Sequence, residues 1–259
     1  ETMPAEDITV TAQWEKNYYK VTLPSQLRVE YAPDCDKSLT KCGYGSAIRV
    51  GIQNGYKVLG ALVYTGTTPW TELEILTRKS FGFIVGANDG EVKGKIAKDY
   101  GTIQIVVDGS EAIIDNDVNS TSAISKVVNV DSVTINRKFQ KNFAEVVLLP
   151  FDVSMRYVRG GVFCKFMGME KSGFNYTARL VFVSSSLTAN TPYLFVPTSQ
   201  KMQIKLPAGE KIAIKTSETP EVRQGDWVFR GNYDLINWEE SEIDIAYVFN
   251  AKASDEDGV

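Results

Sequence analysis

Hydrophobic and polar positions alternate along most of this chain. Ile8, Val10, Ala12 and Trp14 are interleaved with Thr9, Thr11 and Gln13, which is the period of a half-buried strand. Val21 and Leu23 carry the pattern on to Pro24, and Ile48, Val50 and Ile52 alternate with Ala47, Arg49 and Gly51. Gln53-Asn54-Gly55 then leads into the apolar run 56–64. Asn-Gly between two apolar runs predicts a hairpin. Further strands are predicted at 81–85, 102–107, 111–115, 127–136, 144–149, 162–167, 176–183, 193–196, 202–206, 211–215, 227–233 and 243–250. Turn signals separate them: Asp108-Gly109, Asn116-Asp117, Gly160-Gly161, Ser172-Gly173, Ala208-Gly209 and Gln224-Gly225-Asp226. Segment 71–78 is the one stretch that predicts a short helix. No run keeps a helical period beyond two turns. Many short strands at this spacing predict an all-β chain, with an antiparallel β-sandwich or barrel-like domain.

The same pattern contains a repeat. Residues 3–21 and 85–103 align at a constant offset of 82 residues, and Ala5/Ala87, Asp7/Asp89, Val10/Val92, Lys16/Lys98 and Tyr18/Tyr100 are identical. A repeat of this length marks a modular chain. It predicts that residues 1–16 are the last strand of a preceding repeat whose body lies upstream, so the chain is expected to be a fragment of a longer protein. Residues 17–98 then form one diverged repeat module. No third copy follows, and residues 99–259 are expected to form a separate C-terminal β-sandwich domain.

Composition narrows the chemistry. The 259 residues are 43% hydrophobic and 23% charged, which suffices for true cores. A net charge of −4 without a Lys/Arg run gives no electrostatic footing for nucleic acid. No apolar stretch approaches the length of a membrane span. The chain holds no histidine, which removes Ser-His-Asp and Cys-His mechanisms and imidazole metal ligands within it. Carboxylate chemistry survives. Of three cysteines, Cys35 and Cys42 share a polar loop. A disulfide there would imply an oxidising compartment, and the competing reading is two reduced thiols. Cys164, in Val162-Phe-Cys-Lys-Phe166, reads as a small buried hydrophobe.

The first ending, Met3-Pro-Ala-Glu-Asp-Ile-Thr-Val-Thr-Ala-Gln-Trp14, resembles the close of an internalin-B-type repeat, also called the Listeria–Bacteroides repeat. Residues 17–98 are similar through Tyr19-Lys-Val-Thr-Leu-Pro24, Asn54-Gly-Tyr-Lys-Val58 and 83–96, although Gly86 replaces the Pro and Ile96 the Trp. The resemblance implies a small β-grasp-like module of the kind found in tandem on bacterial surface proteins. The remainder resembles the terminal β region of large secreted proteins from Fibrobacter- and Bacteroidetes-type bacteria. Val130-Asp-Ser-Val-Thr-Ile-Asn-Arg-Lys-Phe139, Leu149-Pro-Phe-Asp-Val153, Ala189-Asn-Thr-Pro-Tyr-Leu-Phe195 and Gly225-Asp-Trp-Val-Phe-Arg-Gly231 carry that likeness. It implies an extracellular or cell-surface setting and supplies no catalytic residues.

Candidate site residues follow from side-chain chemistry. Aromatic rings presented to solvent stack on sugars. Trp70, in the loop Thr67-Thr-Pro-Trp70, is the first candidate, and Tyr233 and Trp238 around Asp234-Leu-Ile-Asn237 come next. Core packing is the alternative for each, and it is the expectation for Trp14 and Trp227. Calcium needs six or more oxygens in one place. Asp115 and Asp117 are the favoured pair, with Asp34/Asp36 and Asp255/Asp257 behind them. Turn chemistry explains such loops without a metal. Glu239, Glu240, Glu242 and Asp244 form an acidic run. Carboxylates two apart on a strand stand roughly 7 Å apart, near the spacing of inverting glycosidases, yet one strand face usually points to water. No glycine spacing fits a phosphate cradle.

Three functional readings emerge. The leading one is a non-catalytic adhesion or glycan-binding module of a bacterial surface protein, whose partner is a polysaccharide, a surface glycan or a host protein. The second is an accessory carbohydrate-binding region of a secreted glycoside hydrolase. The third is a structural subunit that assembles by strand addition at an open edge.

Overall fold

The computed structural model describes residues 15–115, 121–173, 175–217 and 220–233, together with the backbone of Ala251–Lys252. Described residues are β-strand, turn and loop throughout, apart from one 3-10 turn at Met155–Tyr157. The chain is all-β. It divides into two compact units, Glu1–Ile96 and Ala97–Val259.

In the first unit, a four-stranded antiparallel sheet runs Leu27–Tyr31, Ala47–Ile52, Ser80–Ile84, Glu74–Thr77 in spatial order. The alternation read at 47–52 decides its facing. Ile48, Val50 and Ile52 are buried with Phe81 and Phe83, while Ala47 and Arg49 are exposed. Other strands close this core. Val21–Thr22 pairs in parallel with Gly90-Glu91, and Val63-Tyr64 pairs with Thr71–Glu72. Val92 and Ile96, the apolar positions of the second repeat ending, are both buried here.

Two local expectations are corrected. Asn54-Gly55 does form a turn, with the Tyr56 N–H on the Gln53 carbonyl and Gly55 at φ +80°. It does not form a hairpin. The strands it joins, Ala47–Ile52 and Tyr56–Tyr64, belong to different sheets, because Leu27–Tyr31 and Ser80–Ile84 already occupy both edges of Ala47–Ile52. Segment 71–78 is not a helix but two short strands, Thr71–Glu72 and Glu74–Thr77. Leu73 is its sole buried side chain, so a helix here would bury almost nothing. Pairing with Val63-Tyr64 and Ser80–Ile84 satisfies the backbone instead.

In the second unit, a five-stranded sheet runs Asn175–Phe182, Gly161–Ser172, Pro192–Pro197, Phe143–Leu148, Ala251–Lys252. Its centre is covered on both faces. Phe163, Tyr193 and Phe195 point into the main core, while Cys164, Phe166 and Leu194 form a smaller cluster with Phe229 on the other face. That is why 192–197 reads as a nearly continuous apolar run. The second face is covered by the hairpin Glu221–Gln224/Trp227–Arg230, whose Gly225 supplies the positive φ of its turn.

Stretch 127–136 is two strands rather than one. Val128–Val130 pairs antiparallel with Ile212–Ile214, and Val133–Ile135 pairs in parallel with Ala112–Ile114. The chain changes partners at Asp131-Ser132, where the Asp131 N–H bonds the Gly109 carbonyl and Ser132 Oγ bonds the Ser110 carbonyl.

Candidate functional site

Trp70 stands at the end of a loop built on buried backbone. Tyr56–Tyr64 ends in Tyr64, which is fully buried, its ring 4.6 Å from that of Phe83. Above it the chain turns through Gly66 against Gly86 and Gly90. A Cβ on Gly86 would strike the Gly66 carbonyl, and one on Gly90 would strike the Gly66 backbone. Two chain segments therefore touch backbone to backbone, which glycine alone permits. Burial, with the charge of Asp89, pushes the Tyr64 hydroxyl above the usual phenol range, opposed by the Gly86 backbone. No described group makes a well-formed hydrogen bond to it.

Hydrogen bonds fix the loop above this floor. The Thr65 N–H donates to the Glu91 carbonyl at 3.0 Å, and the Glu91 N–H donates to Thr65 Oγ1 at 2.9 Å. Thr67 and Thr71 hydroxyls meet at 2.7 Å across the loop. Trp70, between them, is 63% exposed. Lys93 Nζ lies 5.7 Å from the centre of its ring and is ion-paired with Glu91. The result is an indole on a braced loop beside a cation, an anion and two hydroxyls. Such a set can stack on a sugar ring and hydrogen-bond its hydroxyls. The loop sequence pointed to Trp70, but Lys93 and Glu91 reach it only through the fold.

The disulfide loop offers a second polar surface. Cys35 and Cys42 are bridged, with their Cα atoms 4.1 Å apart. An open depression of about 450 Å³ beside them is lined by Lys16, Tyr18, Asp34, Cys35, Asp36 and Lys41. Its carboxylates are already engaged. Asp36 accepts from Ser38 Oγ and Thr40 Oγ1, each at 2.6 Å, and from the Lys41 N–H at 2.9 Å. These donors hold its carboxyl well below the usual range. Asp34 takes Lys16 at 3.1 Å and Ser46 Oγ at 3.2 Å, and the Lys16 ammonium lowers its pKa. This is turn and ion-pair chemistry, with no set of open oxygens.

The remaining candidates scatter. Tyr233 packs against the main core of its unit. Its hydroxyl donates to Asn190 Oδ1 at 2.8 Å, and its carbonyl accepts from Thr102 Oγ1 and Thr121 Oγ1. Burial pushes the Tyr233 phenol far above its usual range. The residue braces three chain segments. Trp227, expected in the core, is half-buried over the small cluster, 5.3 Å from the Tyr176 ring. Cys164 is buried in that cluster, and burial raises its thiol pKa. The Asp115 N–H donates to the Thr102 carbonyl at 2.8 Å. Trp14, Asp117, Trp238, the acidic run 239–244 and Asp255/Asp257 lie outside the described residues. Among the described residues no three Cys, Asp or Glu side chains converge as metal ligands. No protein-family model matches this chain, and comparison with curated proteins and with solved structures finds no match.

Proposed function

We propose that this chain is a non-catalytic module of a bacterial extracellular or cell-surface protein that binds glycan through the Trp70 loop. The observation that carries the reading is the exposed Trp70 ring on its glycine-packed, hydrogen-bonded base. A tryptophan ring presents a large apolar face with one N–H at its edge, which suits it to stack on the apolar face of a sugar ring. Supporting it are the Cys35–Cys42 bridge, which suits an oxidising compartment, the absence of histidine, and the repeat pattern with its resemblance to tandem surface modules.

The test is a pull-down with insoluble polysaccharides, alongside a glycan array. Binding to at least one glycan is expected, and Trp70→Ala should weaken it about tenfold, a loss of roughly 1.4 kcal/mol. Equal binding by the variant removes Trp70 from the site. Failure to bind any glycan in either assay removes the glycan reading itself.

A further inference from the structure

Asn54 and Gly55 are the tip of the turn that carries the chain from Ala47–Ile52 to Tyr56–Tyr64. Both are exposed. The shoulder of the turn is fixed, because the Gln53 N–H donates to the Gln26 carbonyl at 3.0 Å and Gln53 Nε2 to the Ser25 carbonyl at 2.7 Å. One bond closes the turn itself, from the Tyr56 N–H to the Gln53 carbonyl at 3.2 Å. The Gly55 N–H and the Asn54 side-chain amide bond no other described residue. A Cβ placed on Gly55 would meet nothing within 4 Å. The Gly55 nitrogen is thus bare in two senses: no acceptor holds its proton, and no side chain shields it.

We propose that Asn54 is a site of spontaneous covalent modification, in which the Gly55 nitrogen displaces the Asn54 side-chain amide. That nitrogen loses its proton to hydroxide and attacks Cγ of Asn54. The N–Cγ bond forms, the Cγ–Nδ2 bond breaks, and Nδ2 takes a proton from water and leaves as ammonia. A succinimide ring remains. Water then adds to one of its two carbonyls. Opening at Cγ gives aspartate. Opening at the main-chain carbonyl gives isoaspartate, whose backbone runs through Cβ and Cγ. The net exchange is water for ammonia, with a carboxylate gained and no electron transferred.

Other positions show how the fold can prevent such an attack. Asn54-Gly55 is the one Asn-Gly pair in the sequence, but Asp-Gly pairs close the same ring more slowly. At Asp89-Gly90 the Gly90 N–H donates to the Lys20 carbonyl at 2.9 Å, and Asp89 Oδ1 accepts from the Lys20 N–H at 2.7 Å. At Asp108-Gly109 the Gly109 N–H donates to the Val106 carbonyl at 2.9 Å. A nitrogen engaged in this way must give up its bond before it can attack. Gly55 needs only a rotation of the turn that opens the 3.2 Å bond. The product matters to the fold, because the turn joins strands of two different sheets. Isoaspartate puts an extra carbon into the main chain there, where Gly55 holds φ +80°. Aspartate changes only the charge. The inference does not rest on the glycan reading.

The test incubates the full chain in mildly alkaline buffer at physiological temperature and follows tryptic peptide 50–57 by mass. The peptide should gain the mass difference between water and ammonia, and an isoaspartate-specific methyltransferase should label it. In the folded chain the gain should run within about tenfold of its rate in the synthetic peptide 50–57, because only one backbone bond must open. Peptide 80–93, which holds Asp89-Gly90, should take the methyl label only after incubation in guanidinium chloride. Asn54→Gln sets the amide one carbon farther from the chain and should abolish the gain. A folded chain whose peptide 50–57 stays unchanged while the synthetic peptide converts overturns the proposal. An equal gain in that peptide of Asn54→Gln overturns it too. Label at 80–93 in the folded chain as fast as at 50–57 overturns the argument from the free N–H.

Discussion

Asp36 shows how one exposed carboxylate can organise a loop. Three donors from Ser38, Thr40 and Lys41 converge on it, so the folded form takes up a proton at lower pH than the unfolded one. Its contribution is complete at neutral pH and is lost as pH falls below the ordinary carboxylate range near 4. Urea unfolding of the native chain and Asp36→Asn should therefore differ most at pH 7, with the gap narrowing at pH 3. Gly86 is a residue of the opposite kind, needed for what it lacks. Gly86→Ala would force the Gly66 backbone away and should lower stability by about 1–3 kcal/mol, read as an earlier thermal transition. Cys164 is buried and its thiol pKa is raised, so a disulfide-exchange reagent should label it only after denaturation. Among these residues, the cysteine loop and the small buried Cys164 were legible in the sequence. The donors around Asp36 were partly so, because Asp, Ser and Thr close local turns. The collision at Gly86 was not, because the atoms it avoids belong to a segment twenty residues away.

Elements were legible wherever the local period carried them. Side chains on a strand alternate whatever the strand pairs with, so Ile48, Val50 and Ile52 declared both their strand and its buried face. Which strand sits beside which is a different matter. The Asn54-Gly55 turn formed without its hairpin, and 127–136 split between an antiparallel and a parallel neighbour. Segment 71–78 became strand because two waiting edges satisfied its backbone better than a helix with one buried leucine. The central strands of the five-stranded sheet show what pairing contributes energetically. Phe163→Ala removes a fully buried ring that packs on Phe195 and Tyr193 and should cost about 3–5 kcal/mol, measured by denaturant unfolding. Phe166→Ala, in a cluster of four buried residues, should cost less, since its neighbours can close on the space.

At the scale of the molecule, the chain is two compact units, each with its own hydrophobic core. Only the first holds the disulfide. Reduction of the Cys35–Cys42 loop, with a sequence separation of 7, should lower the stability of the Glu1–Ile96 unit by about 2.5 kcal/mol on a chain-entropy estimate. The transition of the Ala97–Val259 unit should stay in place, as scanning calorimetry with and without reductant would show. By itself the sequence determined what depends on near neighbours: the all-β class, the main strands and turns, the cysteine loop and the exclusion of histidine chemistry. Only the tertiary structure decided what depends on distant ones. It drew Tyr233 into a half-buried hydrogen-bonded brace and set Lys93 and Glu91 beside Trp70. The physical reason is that alternation and turn chemistry act within a few residues. Burial, pairing and edge position are set by segments that the chain brings together only on folding.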